Sequence, residues 1–348
     1  MSSPRLVAFR ALCIARFREF YREPEAIFWS FIFPILLFLV MGLAFRNRPV
    51  EIHPVAVVSG PGADALASPL RESGHFKVTL CDQREAFQAL RLGRVALVLV
   101  PGAARAVEYR LDPSRPESSL ARHAADEVLQ RAAGRTDALP TQRTEVSEPG
   151  SRYIDFLIPG ILGLNLMSGA MWGVGFNLVD MRIKRLLKRM LATPMRRSDF
   201  MASQMTIRLV FMFIEVSFLL AFGRFALDVP IAGSWPAIFL IGALGALSFG
   251  GIGLLLASRA TRIESIMGLM NAVTMPMMIG CGVFFSVERF PESVQPLIHA
   301  LPLTALIDAL RAVVLEGAPL AAHTSRLALL AAWGAIGFVA GLRLFRWN

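Results

Sequence analysis

The chain has 348 residues, 55% of them hydrophobic, and a formal net charge of +10. A soluble domain is nearer half apolar, and here the excess is gathered into long runs, which excludes a water-soluble protein and points to lipid. The three cysteines, Cys13, Cys81 and Cys281, lie far apart, which excludes a disulfide framework or a CxxC centre.

Residues 1–25 space Phe9, Leu12, Cys13, Phe17, Phe20 and Tyr21 at helical intervals, with Arg10, Arg16, Arg18 and Arg22 between them. That pattern predicts an amphipathic helix lying at a membrane interface, apolar face in lipid and arginines on headgroups. A first transmembrane helix is expected over 26–46. It is too long for a signal-peptide core and no small-residue cleavage site follows, so it reads as a retained span.

Residues 47–151 read as a folded polar domain with a linker at its end. The runs "HPVAVV", "FKVTLCD", "VALVLVP" and "AVEYRLD" have strand character. "ADALASPLRES", "REAFQALRLG" and 117–133 have helical character. Strands alternating with helices predict a small α/β unit. Five further apolar stretches near 154–179, 204–224, 235–257, 265–286 and 325–345 are each long enough to cross a bilayer core, which needs about 20 helical residues. The third of the six spans is the least clean, because Arg208 and Glu215 lie inside it. Between the last two, the segment 288–323 holds apolar pieces too short to cross, broken by prolines, and is expected to be interfacial or re-entrant. The expected fold is an α-helical polytopic membrane protein: six transmembrane helices, with a small α/β extracytoplasmic domain inserted after the first.

Charge orients this plan. Residues 47–151 hold thirteen basic and thirteen acidic side chains. The pieces 1–25, 180–203, 258–264 and 346–348, with Arg343 snorkelling to the same face, hold sixteen basic and six acidic ones. The whole excess falls on one side, and the positive-inside rule puts both termini in the cytoplasm. Seven of the twenty residues in "MRIKRLLKRMLATPMRRSDF" (181–200) are Lys or Arg. Topology explains a basic loop, and nucleic acid is not needed. A helix over 181–192, stopped before Thr193–Pro194, would also carry a ridge of Leu186, Leu187, Met190 and Leu191 beside Lys184, Arg185, Lys188 and Arg189, suited to docking in a partner's groove or to lying along the lipid surface.

No P-loop, HExxH or GxSxG occurs, and the five histidines lack ligand spacing, so neither an ATP site nor a metal site is expected on this chain. Glu215 is a carboxylate deep in a span and is either one half of a structural pair or a pathway residue. Arg208 is two turns away, about 10 Å along the helix, which favours a partner on another helix, with Asn165 and Asn271 as candidates and Arg208 snorkelling outward. Met270 and Met275 belong to a methionine-rich fifth span that could line a path for greasy cargo or simply face lipid. Asp308 and Arg311 are three apart and could pair.

"LLKRMLATPMRRSDF" (186–200) resembles the cytoplasmic loop after the second span of ABC-2 type permeases, the membrane subunits of ABC exporters. "GVFFSVERFPESVQPLIHALPLTALIDALRAVVLEG" (282–317) resembles that family's outward-facing segment, through Phe285, Pro291, Pro302, Leu303, Arg311 and Gly317. Many family members carry an acidic residue and Gly-Thr early in the loop, where this chain has "RIKRLL". The resemblance implies a six-span half-transporter in a bacterial inner membrane that moves drugs or lipids outward. It implies pairing with a second copy or a sister permease, and two ATPase subunits that hold the ATP and Mg. Lys184, Arg185, Leu186, Leu187, Lys188, Arg189, Met190, Leu191 and Pro194 would then touch the ATPase, and Phe285, Pro302, Asp308 and Arg311 would form an outer gate. The rivals are an ion- or proton-coupled transporter using Glu215, and a sensor or scaffold using the outer domain.

Overall fold

The computed structural model describes residues 4–46, 52–102, 106–136, 139, 152–191, 197–283 and 287–345. The chain divides into two compact units, Arg46–Val146 on the one hand and Met1–Phe45 with Ser147–Asn348 on the other.

Helix α1 (Pro4–Arg22) opens the chain. The short α2 (Pro24–Ile27), a π turn at Phe28–Ile32 and α3 (Phe33–Arg46) follow as one rod. The inserted unit then runs β1 (His53–Val58), α4 (Ala63–Glu72), β2 (Phe76–Cys81), α5 (Gln83–Arg91), β3 (Leu97–Pro101), β4 (Val107–Arg110) and α6 (Pro116–Ala132). Its sheet has the order β2-β1-β3-β4, parallel except for the antiparallel β3–β4 pair. Alternation along the strands feeds two cores. Val55, Val57, Leu97 and Leu99 meet Leu70 of α4 and Ala121 and Ala125 of α6. Ala56, Val58 and Val98 meet Ala86 of α5. Gly62, at φ 87°, makes the left-handed step into α4, a conformation glycine adopts without penalty.

The Tyr109 hydroxyl of β4 donates to Asp126 of α6 at 3.1 Å. Burial, then this hydrogen bond, pushes its phenol up to about 12 from an ordinary 10.0. The neutral phenol is the form the fold favours, so its contribution is intact below pH 10.0 and lost as pH rises towards 12. In a 295 nm titration, the difference between the native chain and Tyr109→Phe is expected to develop near the upper value. Development near the ordinary one would contradict the contact.

The other unit continues with α7 (Tyr153–Met171), a second π turn at Trp172–Phe176, α8 (Asn177–Ile183), α9 (Leu186–Leu191), α10 (Arg197–Ala226), α11 (Trp235–Ala257), α12 (Ile263–Gly280), α13 (Gln295–His299), α14 (Pro302–Glu316) and α15 (Thr324–Leu344). Among the described residues, six helical stretches are long and apolar enough to cross a membrane: Pro24–Leu43, Ile154–Ile183, Asp199–Ala226, Trp235–Ala257, Ile263–Gly280 and Leu320–Leu344. The second is longer than expected, because α7, the π turn and α8 form one rod that takes in the first residues of the basic loop. Large apolar side chains such as Val40, Leu43, Phe213, Met275 and Ile336 are left exposed on these rods, which suits a surface solvated by lipid.

Helix α11 is the hub, packed on α7, α10, α14 and, most closely, α15. Small residues permit that approach. A Cβ built on Gly337 would lie 2.6 Å from the Gly251 carbonyl carbon, and one on Gly251 would lie 2.8 Å from the Gly334 oxygen. Helix α14 is not laid on a surface. Its residues from Pro302 to Leu310 are buried apart from Asp308, which is partly so, and it is enclosed by α7, α11 and α15.

Candidate functional site

Two polar constructions interrupt the apolar packing of the bundle. One is at the end of the bundle that carries α9, and the other is within α10.

At the α9 end the expected single helix over 181–192 is two. The rod of α8 stops at Ile183, and Arg185 adopts a left-handed backbone, φ 58°. Helix α9 then begins at Leu186. The break turns the apolar side of α9 inward. Leu187 is only 2% exposed, in a cluster with Leu178, Met181, Phe200, Ala257, Ala260 and Phe345 of its own chain, and Leu186 packs at its edge. The supposed docking ridge is therefore corrected at Leu187, which serves this chain's own core. Lys184, Arg185, Lys188 and Arg189 remain exposed. Pro194 and the side chains of Met190 and Leu191 lie outside the described residues. Lys184 pairs with Asp180 at 2.8 Å. That hydrogen bond first, then the charges of Asp180, Glu19 and Glu23, hold its ammonium above the ordinary lysine value.

Sequence reasoning missed Arg182. Its guanidinium donates to the carbonyls of Ala257 at 3.0 Å, Ala260 at 2.5 Å and Ser258 at 3.4 Å. It also stacks 4.8 Å above the Phe345 ring. The Ala257 carbonyl ends α11 and those of Ser258 and Ala260 lie in its cap and the turn beyond it, where no intrahelical donors remain and a cation meets the negative end of the helix dipole. Helix α1 is fixed nearby: Phe20 lies 4.2 Å from Phe211 of α10, and Arg16 donates to Gln204 at 3.3 Å.

Within α10, Glu215 finds its partner on its own helix. Arg208 donates to both carboxylate oxygens, at 3.0 and 2.9 Å. The side chains are 7% and 1% exposed. The expectation of a partner on another helix, and of a snorkelling Arg208, is thus overturned. Two turns separate the Cα atoms, but both side chains are long and lie on nearly the same face, so they close the gap. Arg208 also lies 3.4 Å from the Leu166 carbonyl of α7, and it fits there because residue 169 is glycine. A Cβ at that position would come within 2.7 Å of the guanidinium. The pair is a neutral, bidentate unit wedged between α10 and α7.

The two asparagines proposed as partners do other things. Asn165 donates to the Ser30 carbonyl at 2.9 Å, inside the π turn of the first span, where widened hydrogen bonding leaves backbone groups in need of partners. Asn271 is exposed, and so is Met275, whereas Met270 is fully buried.

At the opposite end, Pro302 is buried at the start of α14. Asp308 pairs with Arg326 of α15 at 3.5 Å, in place of the expected Arg311. Arg311 instead donates to the Gly282 carbonyl at 3.1 Å and lies 3.5 Å above the Phe156 ring. The two residues diverge because α14 is enclosed: one faces α15 and the other faces α7. Phe285 lies outside the described residues.

The model of a family described as "ABC-2 family transporter protein" matches residues 24–343. ABC transporter G family member 20 of Dictyostelium discoideum is 27% identical over 176 residues, 50% of this chain and 24% of that protein. Nodulation protein J of Bradyrhizobium diazoefficiens is 27% identical over 203 residues, 57% of this chain and 75% of its own length. The probable multidrug ABC transporter permease YbhR of Escherichia coli is 24% identical over 173 residues, 49% of this chain and 47% of that one. The matched stretches thus span less than half of two of these three relatives.

Proposed function

Since the chain belongs to the ABC-2 family of transporter proteins, we propose that it is the transmembrane subunit of an ATP-driven exporter. The observation that carries this reading is the exposed basic cluster of Lys184, Arg185, Lys188 and Arg189, presented at the junction of the second and third spans. A short positive element there suits a partner with an acidic cleft, the charges steering the encounter. That partner is an ABC ATPase, two copies to a permease pair, and it holds the ATP and Mg. The permease pairs with a second copy or a sister permease.

The charge asymmetry supports a cytoplasmic basic loop and cytoplasmic termini, with the α/β unit on the other side, and the family resemblance supports an inner membrane. The cargo is an amphipathic or hydrophobic molecule, a drug or a lipid. Its support is the apolar character of the spans and the multidrug description carried by one relative. The enclosed α14, with Asp308 and Arg311, closes the outer end. An ion-coupled mechanism through Glu215 is disfavoured, because that carboxylate is buried against Arg208 and already neutralised.

Inside-out vesicles containing the permease and its ATPase provide the test, with a fluorescent phospholipid and a lipophilic cationic dye as probes. Vanadate-sensitive accumulation of either on adding ATP is the expected result. Accumulation driven by an imposed pH gradient without ATP would reverse the assignment.

A further inference from the structure

We infer that Arg182 is a positioning residue that locks the base of α9 to the near ends of α11 and α15, so that a push on α9 moves those two spans together. The inference rests on the docking reading for its source of force, but its geometry stands by itself.

Arg182 sits at the last turn of α8, three residues before the left-handed step at Arg185. Its guanidinium gathers three carbonyls from the terminus of α11 and the turn beyond it, and its face covers Phe345, the residue after α15. A planar fork can serve several carbonyls and an aromatic ring at once. A lysine ammonium cannot reproduce both contacts. Leu187 of α9 shares the buried cluster of Ala257, Ala260 and Phe345, so polar and apolar contacts tie the same three elements. Helices α11 and α15 are packed backbone to backbone through Gly251, Gly334 and Gly337, so the end of one cannot shift alone.

The covalent route from α9 into the bundle is different in character. It runs up α8 and through the π turn at Trp172–Phe176, where Gly173 has open space around it. A π turn with a glycine is a place where a helix bends. Arg182 bypasses it.

The test uses spin labels at exposed sites outside the basic cluster: Ile183→Cys with Arg259→Cys, and Ile183→Cys with Leu344→Cys, in a full-length chain whose native cysteines are replaced. Dipolar EPR is recorded on the permease alone, on its ATPase complex without nucleotide, and on the complex trapped with ATP and vanadate. With Arg182 present, both distances are expected to stay narrow and to agree across states within about 2 Å. With Arg182→Gln, trapping is expected to broaden or displace them by about one helical turn, ~5 Å. Arg182→Lys is expected to behave like Arg182→Gln, and Phe345→Leu should broaden the second distance if the glutamine variant fails to fold. Distances that move by a turn with Arg182 in place would overturn the inference. So would a glutamine variant whose distances stay narrow, even if its yield falls, since lost yield alone marks a merely structural contact. Failure of the docking reading shows separately, as absence of ATPase on the unsubstituted permease. In that case the broadening by Arg182→Gln is read on the permease alone, and an unchanged width there overturns the clamp.

Discussion

Glu215→Ala is expected to cost about 3–5 kcal/mol of stability, because it leaves Arg208 as an uncompensated buried charge. The companion double variant, Arg208→Met with Glu215→Leu, is expected to recover most of that loss. Replacing a buried ion pair by apolar groups of similar volume is often neutral or favourable. Denaturation of the purified permease in detergent measures both. The pair also separates two mechanisms. If Glu215 carried ions or protons, the double variant would be stable yet unable to transport. If the pair is a wedge between α10 and α7, as its bidentate geometry and the recess at Gly169 indicate, the double variant keeps ATP-driven transport.

The second large effect is expected at the α11–α15 contact. Gly337→Ala places a methyl 2.6–2.9 Å from backbone atoms of Gly251 and Ile252, and backbone cannot yield as a flexible side chain can. Overpacking of this kind costs about 1–3 kcal/mol. Gly268→Ala is the control. It lies on the exposed side of α12 with nothing within 4 Å, so alanine should be neutral or gain up to about 1 kcal/mol in helix propensity. Equal loss from both substitutions would mean that glycine matters here for flexibility, and that close packing is not its role.

These effects sit where the sequence is least informative. The spans are legible because burying a helical backbone in lipid demands about twenty apolar residues in a row, and a run such as 235–257 admits no other reading. The strands and helices of the inserted unit are legible for a related reason: "VALVLVP" has the composition of a strand covered on both faces. Side-chain reach is not visible in a string of letters. Arg208 and Glu215 are two turns apart by Cα position, and only the length of both side chains closes that gap. Arg182 looked like one more topogenic charge because its partners are carbonyls from a helix some 75 residues away. Leu187 turns into the chain's own core because one left-handed residue, Arg185, resets the phase of the helix after it. Arginine rarely takes that conformation, and no glycine or asparagine marks the spot.

What that step leaves outward is charge, and an ATPase is the partner proposed to read it. The most direct measurement is co-purification of the ATPase subunit with the permease, compared with a variant carrying Lys184→Glu, Arg185→Glu, Lys188→Glu and Arg189→Glu. Like-charge contact at an interface costs several kcal/mol, so recovery of the ATPase is expected to fall by on the order of tenfold or more, with the permease still folded. Equal recovery with and without the reversal would contradict the assignment of this cluster as the docking site.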